Sequence, residues 1–129
     1  DVVLASGGHP APVLVRADGS VAFQPMDGGQ VVGVLADAAS TSVALRLCPG
    51  DTLLLYTDGL TEARTGRGTR YDEQPLHEFL TASGPTTASG AVAAVRTLLD
   101  GFGDGLDDDT AVLALSVPPT SAAGRPSTP

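Results

Sequence analysis

An uncharged apolar run, Thr52–Tyr56, is followed directly by Thr57, Asp58 and Gly59, and this stretch limits the possible folds more than any other. The run comes after a Pro49-Gly50 turn signal, and its branched and aromatic side chains predict a buried β-strand. A carboxylate at the end of such a strand is held by the core and yet open to solvent. This position suits a metal ligand or a catalytic acid or base, and a plain Asp-Gly turn between strands is the alternative.

Further apolar stretches predict more strands around this one. The predicted strands are 2–5, 12–16, Val21–Phe23, 41–47 and 110–117, and 31–35 is a strand or an extended loop. We expect the first three to form a β-meander. We expect 41–47, in which apolar residues alternate with small or polar ones, to pair antiparallel with Thr52–Tyr56 across the Pro49-Gly50 turn.

Two helices are predicted between the central strands and the last strand. Asp72 is the expected N-cap of the first, which ends at Gly84-Pro85 and carries His77 on its surface. The second covers 89–102, with an apolar stripe of Val92, Val95, Leu99 and Phe102. Strands followed by helices and one final strand predict an α+β fold with antiparallel sheets.

The composition narrows the class of protein. The chain of 129 residues has fifteen Asp and Glu against seven basic residues, all Arg, giving a net charge of −8. An acidic surface repels a phosphate backbone and suits divalent cations, so we expect no nucleic-acid partner. No apolar run is long enough to span a membrane. The single Cys48 excludes an internal disulfide framework, and we predict a cytoplasmic location.

A second acidic cluster, Asp107-Asp108-Asp109, stands immediately before the last predicted strand. Three adjacent carboxylates repel one another unless a cation lies among them, and a solvated acidic loop is the alternative. If the last strand and Thr52–Tyr56 run antiparallel in one sheet, this cluster and Asp58 lie at the same end of the sheet. Hard oxygen ligands that converge in this way are typical of Mg²⁺ or Mn²⁺ sites, which activate water for phosphoryl transfer.

Three blocks of the sequence carry a resemblance to a known family. They read Ala5-Ser6-Gly7-Gly8-His9-Pro10, then Gly50-Asp51-Thr52-Leu53-Leu54-Leu55-Tyr56-Thr57-Asp58-Gly59-Leu60-Thr61-Glu62-Ala63, then Asp108-Asp109-Thr110-Ala111-Val112-Leu113. In this order and spacing they resemble the metal-dependent PPM-type (protein phosphatase 2C-like) serine/threonine phosphatases, in the bacterial SpoIIE branch. The middle block is the specific one.

The resemblance implies a sandwich of two antiparallel sheets flanked by helices, with a dinuclear Mn²⁺ or Mg²⁺ site at one edge. Asp58 and Asp108 match the metal-ligand aspartates of the family, and Gly59, Asp107 and Asp109 lie near the site. A register shift of one would put Asp107 in place of Asp108. Gly59 would let the backbone turn away beneath the ion. The implied activity is hydrolysis of phosphoserine or phosphothreonine in regulatory phosphoproteins, notably anti-sigma-factor antagonists.

The chain also departs from the family pattern. The family has an earlier half with a Gly-Asp motif that supplies the bridging ligand, and nothing in this sequence matches it. We therefore predict that 1–117 is the C-terminal portion of a phosphatase domain, incomplete at its N-terminal side and inactive alone. Residues 118–129, rich in Pro, Ser, Thr and Ala, are predicted to be a disordered tail. A sensor domain can precede this region in the full-length protein.

Three alternatives stay open at this point. A phosphatase-like remnant could keep the fold and bind a partner without turnover, and an acidic β-rich domain could hold no metal at all. His9, which precedes Pro10, could serve as a general acid near a phosphate or could only shape a turn. We assign no catalytic residue beyond the metal ligands.

Overall fold

A computed structural model of the chain describes residues 1–28, 30–37, 40–66 and 68–121. Within these residues the chain forms six strands and three α-helices. They are β1 (Val2–Ser6), β2 (Val13–Val15), β3 (Val21–Phe23), β4 (Thr41–Leu45), β5 (Thr52–Tyr56), α1 (Asp58–Thr61), α2 (Glu73–Ser83), α3 (Ala88–Phe102) and β6 (Val112–Ser116), with a 3₁₀ turn at Gly103–Gly105. The predicted disordered tail, 118–129, falls outside the described residues from 122 onward.

The larger sheet has four antiparallel strands in the order β3-β2-β5-β6. β5 lies between β2 and β6, and both Leu53 and Leu54 are fully buried, which confirms the predicted buried strand. β6 pairs with β5 from Thr52↔Ser116 to Tyr56↔Val112. The end of β5 and the start of β6 therefore lie at the same end of the sheet, as the site prediction required.

The smaller sheet corrects two predicted pairings. β1 pairs antiparallel with β4, from Val2↔Leu45 to Ser6↔Thr41, and forms a sheet of two strands. The β2–β3 hairpin is confirmed, but β1 is not part of a meander with it, and β4 does not pair with β5. Residues 31–35 form turns and a bend rather than a strand. These elements have the local character that the sequence predicts, but their partners lie elsewhere along the chain.

The two longer helices pack on the larger sheet. α3 contacts β5 and β6, and α2 contacts β3. The N-cap of α3 is Thr87, whose hydroxyl accepts the Gly90 N–H at 3.1 Å. The buried residues of this layer come from the sheet, from both helices and from the segment between β5 and α2: Val13, Val15, Leu54, Tyr56, Leu60, Ala63, Tyr71, Leu76, Leu80, Ala91 and Val95.

Three details of the helical predictions need correction. Val92 is exposed, because the buried stripe of α3 begins one residue earlier at Ala91 and continues through Val95. Asp72 does precede α2, but its side chain makes no capping hydrogen bond. His77 is partly buried rather than on the surface, since its Nε2 lies 2.8 Å from the Val21 carbonyl oxygen.

No helix in the described residues is both long and apolar enough to cross a membrane.

The opposite face of the larger sheet is covered unevenly. Leu53 is fully buried on this face, whereas Leu113 and Leu115 on the neighbouring β6 are 58% and 44% exposed. A cavity of about 250 Å³ lies between β1 and the β5–β6 pair. The observed architecture is thus α+β with antiparallel sheets, as predicted, and one face of β6 carries exposed leucine side chains.

The start of β5 is held by a buried carboxylate that the site prediction did not consider. Asp51 is 2% exposed. Its oxygens accept from the Arg16 guanidinium at 2.7 Å, the Cys48 N–H at 2.8 Å and the Ala17 N–H at 2.9 Å. Burial raises the pKa of Asp51, but the hydrogen bonds from Cys48, Arg16 and Ala17 outweigh burial and leave that pKa lowered. Asp51 thus ties the β2–β3 turn to the start of β5.

Candidate metal centre

The turn after β5 carries the first acidic residue of the site. The chain leaves the sheet at Thr57 and enters α1, whose first residue is Asp58. The Leu60 N–H donates to the Thr57 carbonyl at 3.2 Å, and the Glu62 N–H donates to the Asp58 carbonyl at 2.8 Å. Because Leu60 is fully buried, this turn is anchored in the core while Asp58 itself is exposed.

The second acidic residue comes from the segment that leads into β6. Beyond the named strands, the Thr57 N–H donates to the Ala111 carbonyl at 3.1 Å, which extends the β5–β6 pairing toward the acidic triplet. Asp108 lies just beyond this contact, and its Oδ1 accepts the Asp109 N–H at 2.8 Å. This local hydrogen bond orients the Asp108 carboxylate.

Three carboxylates converge at this end of the sheet. Asp58, Glu62 and Asp108 each offer one oxygen, and these oxygens lie within 4.8 Å of one another. Two oxygens around one Mg²⁺ ion are at most about 4.2 Å apart, because each Mg²⁺–O distance is about 2.1 Å. Since all three side chains are exposed, small rotations about their side-chain bonds are enough to bring the oxygens around a single ion.

The electrostatics of the cluster fit a hard divalent cation. The ion pairs among the described residues are Arg16–Asp51 and Arg64–Asp107, and neither involves this cluster. Three neighbouring carboxylates without a neutralising partner repel one another. Carboxylate oxygen is the donor that Mg²⁺ and Mn²⁺ prefer, so the donor set suits either ion.

The three aspartates of the acidic triplet make three different contacts. Asp108 joins Asp58, whereas the Asp107 Oδ2 pairs with the Arg64 Nε at 2.8 Å and both side chains are largely exposed. Asp109 contributes its backbone carbonyl, which accepts from the Thr57 hydroxyl at 3.4 Å. Of the two registers that the sequence allows, the structure brings Asp108 and not Asp107 to Asp58.

Gly59 is required by close packing rather than by an unusual backbone conformation. It is not among the glycines with positive φ. A Cβ at this position would lie 2.5 Å from the Asp109 carbonyl oxygen and 2.7 Å from the Thr110 Oγ1. The structure therefore adds a packing reason for a glycine at this position: it lets α1 approach the segment that carries the second acidic residue. The predicted turn beneath an ion stays a prediction.

His9 lies on the wall of the cavity between the two sheets, which Thr57 and Ala111 also line. Its side chain is exposed. Among the residues that the structure describes, none forms a hydrogen bond with its imidazole. The general-acid role and the turn-shaping role of His9 therefore both stay predictions.

Sequence reasoning missed Glu62. It follows Asp58 by four residues, and residues four apart lie on the same face of a helical turn. The signal was available in the sequence, but it depended on placing a helix at residues 58–62, and the sequence analysis predicts helices only after Asp72 and over 89–102. In the structure α1 begins at Asp58, so its C-cap Glu62 comes onto the same face.

Comparison with known proteins places this fold in a family. Residues 1–118 match the family model described as stage II sporulation protein E (SpoIIE). Protein IcfG of Synechocystis sp. (strain ATCC 27184 / PCC 6803 / Kazusa) is 31% identical over 78 residues, which are 60% of this chain and 12% of that protein. The chain thus spans a small part of this curated relative.

Solved structures give the same result. The RsbU and RsbW domains of a Mycobacterium tuberculosis protein align with a TM-score of 0.55 at 28% identity, over 92% of this chain and 33% of that one. The phosphatase domain of the cell fate determinant SpoIIE from Bacillus subtilis aligns with a TM-score of 0.68 at 13% identity, over 92% of this chain and 53% of that one. The second likeness concerns the fold alone. The chain therefore has a PP2C-type phosphatase fold and spans about half of that domain structure or less.

Proposed function

Since this chain belongs to the stage II sporulation protein E (SpoIIE) family of PPM-type phosphatases, we propose that the protein containing it hydrolyses phosphoserine or phosphothreonine in a regulatory phosphoprotein. An anti-sigma-factor antagonist is the proposed class of substrate. The observation that carries the proposal is the convergence of Asp58, Glu62 and Asp108 at one end of the β5–β6 pair.

In this proposal Asp58 and Asp108 hold Mn²⁺ or Mg²⁺, and Glu62 is a third ligand. A bound divalent cation lowers the pKa of a coordinated water and polarises phosphoryl oxygens. The chain's own contribution is to hold three negative oxygens within 4.8 Å of one another on anchored backbone segments. Three carboxylates do not fill the coordination of two such ions. In the proposed dinuclear site the remaining positions are taken by water and by the bridging ligand that the family resemblance predicts in the upstream region.

We also propose that residues 1–117 are the C-terminal portion of a larger phosphatase domain. In this proposal the domain works in the cytoplasm, and a sensor domain can precede it in the full-length protein. The exposed Leu113 and Leu115 support this proposal, because they lie on the same sheet face as the fully buried Leu53. Contiguous exposed apolar surface usually marks a face that another element covers. The purified chain alone should therefore self-associate, and a longer chain that includes the upstream region should not.

The proposed activity is tested in the full-length protein with a phosphoserine peptide and a Mn²⁺ titration. Asp58→Asn and Asp108→Asn should each lower turnover at low Mn²⁺ by about 100-fold or more, since even residues outside the first coordination shell affect activity 10- to 100-fold. Partial recovery at high Mn²⁺ is expected, because a neutral amide oxygen binds a hard cation more weakly than a carboxylate.

Asp107→Asn is the matched control, because Asp107 precedes Asp108 in sequence but pairs with Arg64 outside the cluster. It should retain nearly full turnover. Near-wild-type turnover of Asp58→Asn at low Mn²⁺ would contradict the proposal. Metal binding by the full-length protein without any turnover would favour the alternative, a phosphatase-like binding module.

A further inference from the structure

We propose that Thr57 is a positioning residue of the metal centre: its hydroxyl holds the segment carrying Asp108 against the turn carrying Asp58. This inference rests on the proposed metal centre and adds a residue that ligates nothing itself.

Thr57 occupies the N-cap position of α1, yet its side chain makes no capping hydrogen bond in the described structure. A threonine at this position ordinarily accepts an N–H from the first turn of its own helix. At the start of α3 the chain shows this ordinary use, where the Thr87 hydroxyl accepts the Gly90 N–H at 3.1 Å. The Thr57 hydroxyl instead forms its hydrogen bonds with the segment that leads into β6.

That contact continues the β5–β6 pairing after the backbone has left the sheet. The Thr57 carbonyl turns into α1 and accepts the Leu60 N–H at 3.2 Å. The hydroxyl takes the place of this carbonyl and accepts the Ala111 N–H at 3.0 Å, while the Thr57 N–H donates to the Ala111 carbonyl at 3.1 Å. The Thr57 side chain thus supplies the acceptor for the Ala111 N–H, which the Thr57 carbonyl would supply if β5 continued as a strand.

The same hydroxyl reaches one step closer to the acidic triplet. It donates to the Asp109 carbonyl at 3.4 Å. The Asp109 N–H in turn donates to the Asp108 Oδ1 at 2.8 Å. A chain of hydrogen bonds therefore runs from Thr57, through Asp109, to the carboxylate of Asp108.

Gly59 permits this contact from the side of α1, because a Cβ at residue 59 would lie only 2.5 Å from the Asp109 carbonyl oxygen. Thr110, by contrast, takes no part in it: its hydroxyl is buried and has no hydrogen-bond partner within the described residues. The Thr61 hydroxyl bonds, in the described part of the chain, only within its own turn, to the Asp58 carbonyl at 3.3 Å. Among these threonines, Thr57 is the one whose hydroxyl links the two segments that carry the acidic residues. This contrast supplies a matched control.

The test measures Mn²⁺ affinity of the full-length protein by electron paramagnetic resonance of free Mn²⁺. Thr57→Val keeps the shape but removes the hydroxyl, and it should raise the Mn²⁺ dissociation constant about 10-fold, as for other outer-shell groups. Thr57→Ser keeps the hydroxyl and should bind Mn²⁺ like the wild type. Thr110→Val should also bind like the wild type. Turnover of Thr57→Val should recover at saturating Mn²⁺, which a general folding defect would not allow.

A second readout needs neither metal nor activity. In the metal-free protein the Ala111 amide should exchange its hydrogen faster in Thr57→Val than in the wild type or Thr110→Val, because the variant lacks its acceptor. If Thr57→Val does not fold, Thr57→Ala replaces it with the same expected losses.

An unchanged Mn²⁺ affinity in the hydroxyl-free variant would overturn the positioning role alone. A loss in Thr57→Ser as large as in Thr57→Val would also overturn it, because the hydroxyl would then not be the cause. Absence of Mn²⁺ binding by the wild-type protein would overturn the proposed function, and the positioning role with it.

Discussion

An aspartate flanks each end of β5, and the two differ in burial and in hydrogen bonding. Asp51 precedes the strand, is 2% exposed and accepts hydrogen bonds from Arg16, Ala17 and Cys48. Asp58 follows the strand, is exposed, and lies beside Glu62 and Asp108 with no ion-pair partner in the described part of the chain.

This difference separates a structural carboxylate from one available to a ligand. A buried carboxylate is tolerated when protein donors replace the water that it loses. Asp51 has those donors, and they leave it little capacity for anything else. The carboxylates around Asp58 keep their capacity, and their mutual repulsion favours a cation. Exposed acidic groups are common, and it is their convergence from two anchored segments that makes this end of β5 distinctive.

The largest expected effect tests whether the carboxylates at the Asp58 end act as a unit. In the full-length protein, Asp58→Asn combined with Asp108→Asn should be little worse than the worse single variant, because groups that work together are not additive. Asp51→Asn combined with Asp58→Asn should instead show independent effects, one on stability and one on turnover. Phosphatase assays beside denaturation curves measure both. Additive losses of turnover in the Asp58 and Asp108 double variant would show that the two carboxylates do not act as a unit.

The next effect concerns stability at the Asp51 end. Asp51→Asn removes the charge that holds Arg16 and places an amide among N–H donors, so we expect a loss of about 3 kcal/mol in the free energy of unfolding. Arg16 is 39% exposed on its side chain, so part of its charge is solvated without Asp51. Urea denaturation measures the loss, and Mn²⁺ affinity should not change. A weakened Mn²⁺ affinity with intact stability would reverse the proposed roles of the two ends.

A smaller effect follows from the lowered pKa of Asp51. A group whose pKa is lower in the folded than in the unfolded state stabilises the fold above the unfolded value, about 3.9 for Asp. Its contribution is lost as the pH falls from about 4 through the folded pKa. The difference in urea midpoint between wild type and Asp51→Asn should therefore shrink between pH 6 and pH 3. A difference that stays constant over this range would mean that the charge of Asp51 does not stabilise the fold.

The smallest effect is expected for His9→Ala. His9 shares a cavity wall with Thr57, but nothing among the described residues orients its imidazole. Loss of a general acid typically costs at least about 100-fold, and we expect turnover to fall far less than that. A pH–rate profile of the full-length protein is the measurement. A large loss together with disappearance of one limb of the profile would add His9 to the catalytic residues at the Asp58 end.

Features that depend on nearby residues were predictable from the sequence. The uncharged run of β5, with turn signals before and after it, predicted a buried strand ending at Tyr56 with an acidic residue just beyond. The apolar spacing and the glycines predicted α2 and α3 to within a few residues. Burial of a side chain leaves a periodic trace in the sequence, because each face of a strand or helix recurs at a known interval.

The partners of these elements were decided by the tertiary structure. β1 pairs with β4 across more than thirty intervening residues, and β6 rather than β4 lies beside β5. The local sequence pattern predicts neither pairing. The entropic cost of closing a loop depends only weakly on its length, so near and distant strands are both available as partners. A half-buried strand can also pair with more than one neighbour. The choice of Asp108 over Asp107, and the inclusion of Glu62, followed from the placement of β6 beside β5 and of α1 at its end. The sequence thus indicated Asp58 and the triplet Asp107-Asp108-Asp109 as candidate ligands. The meeting of Asp58, Glu62 and Asp108 depended on the tertiary structure, because ligands around one ion must converge in space from segments that are distant in sequence.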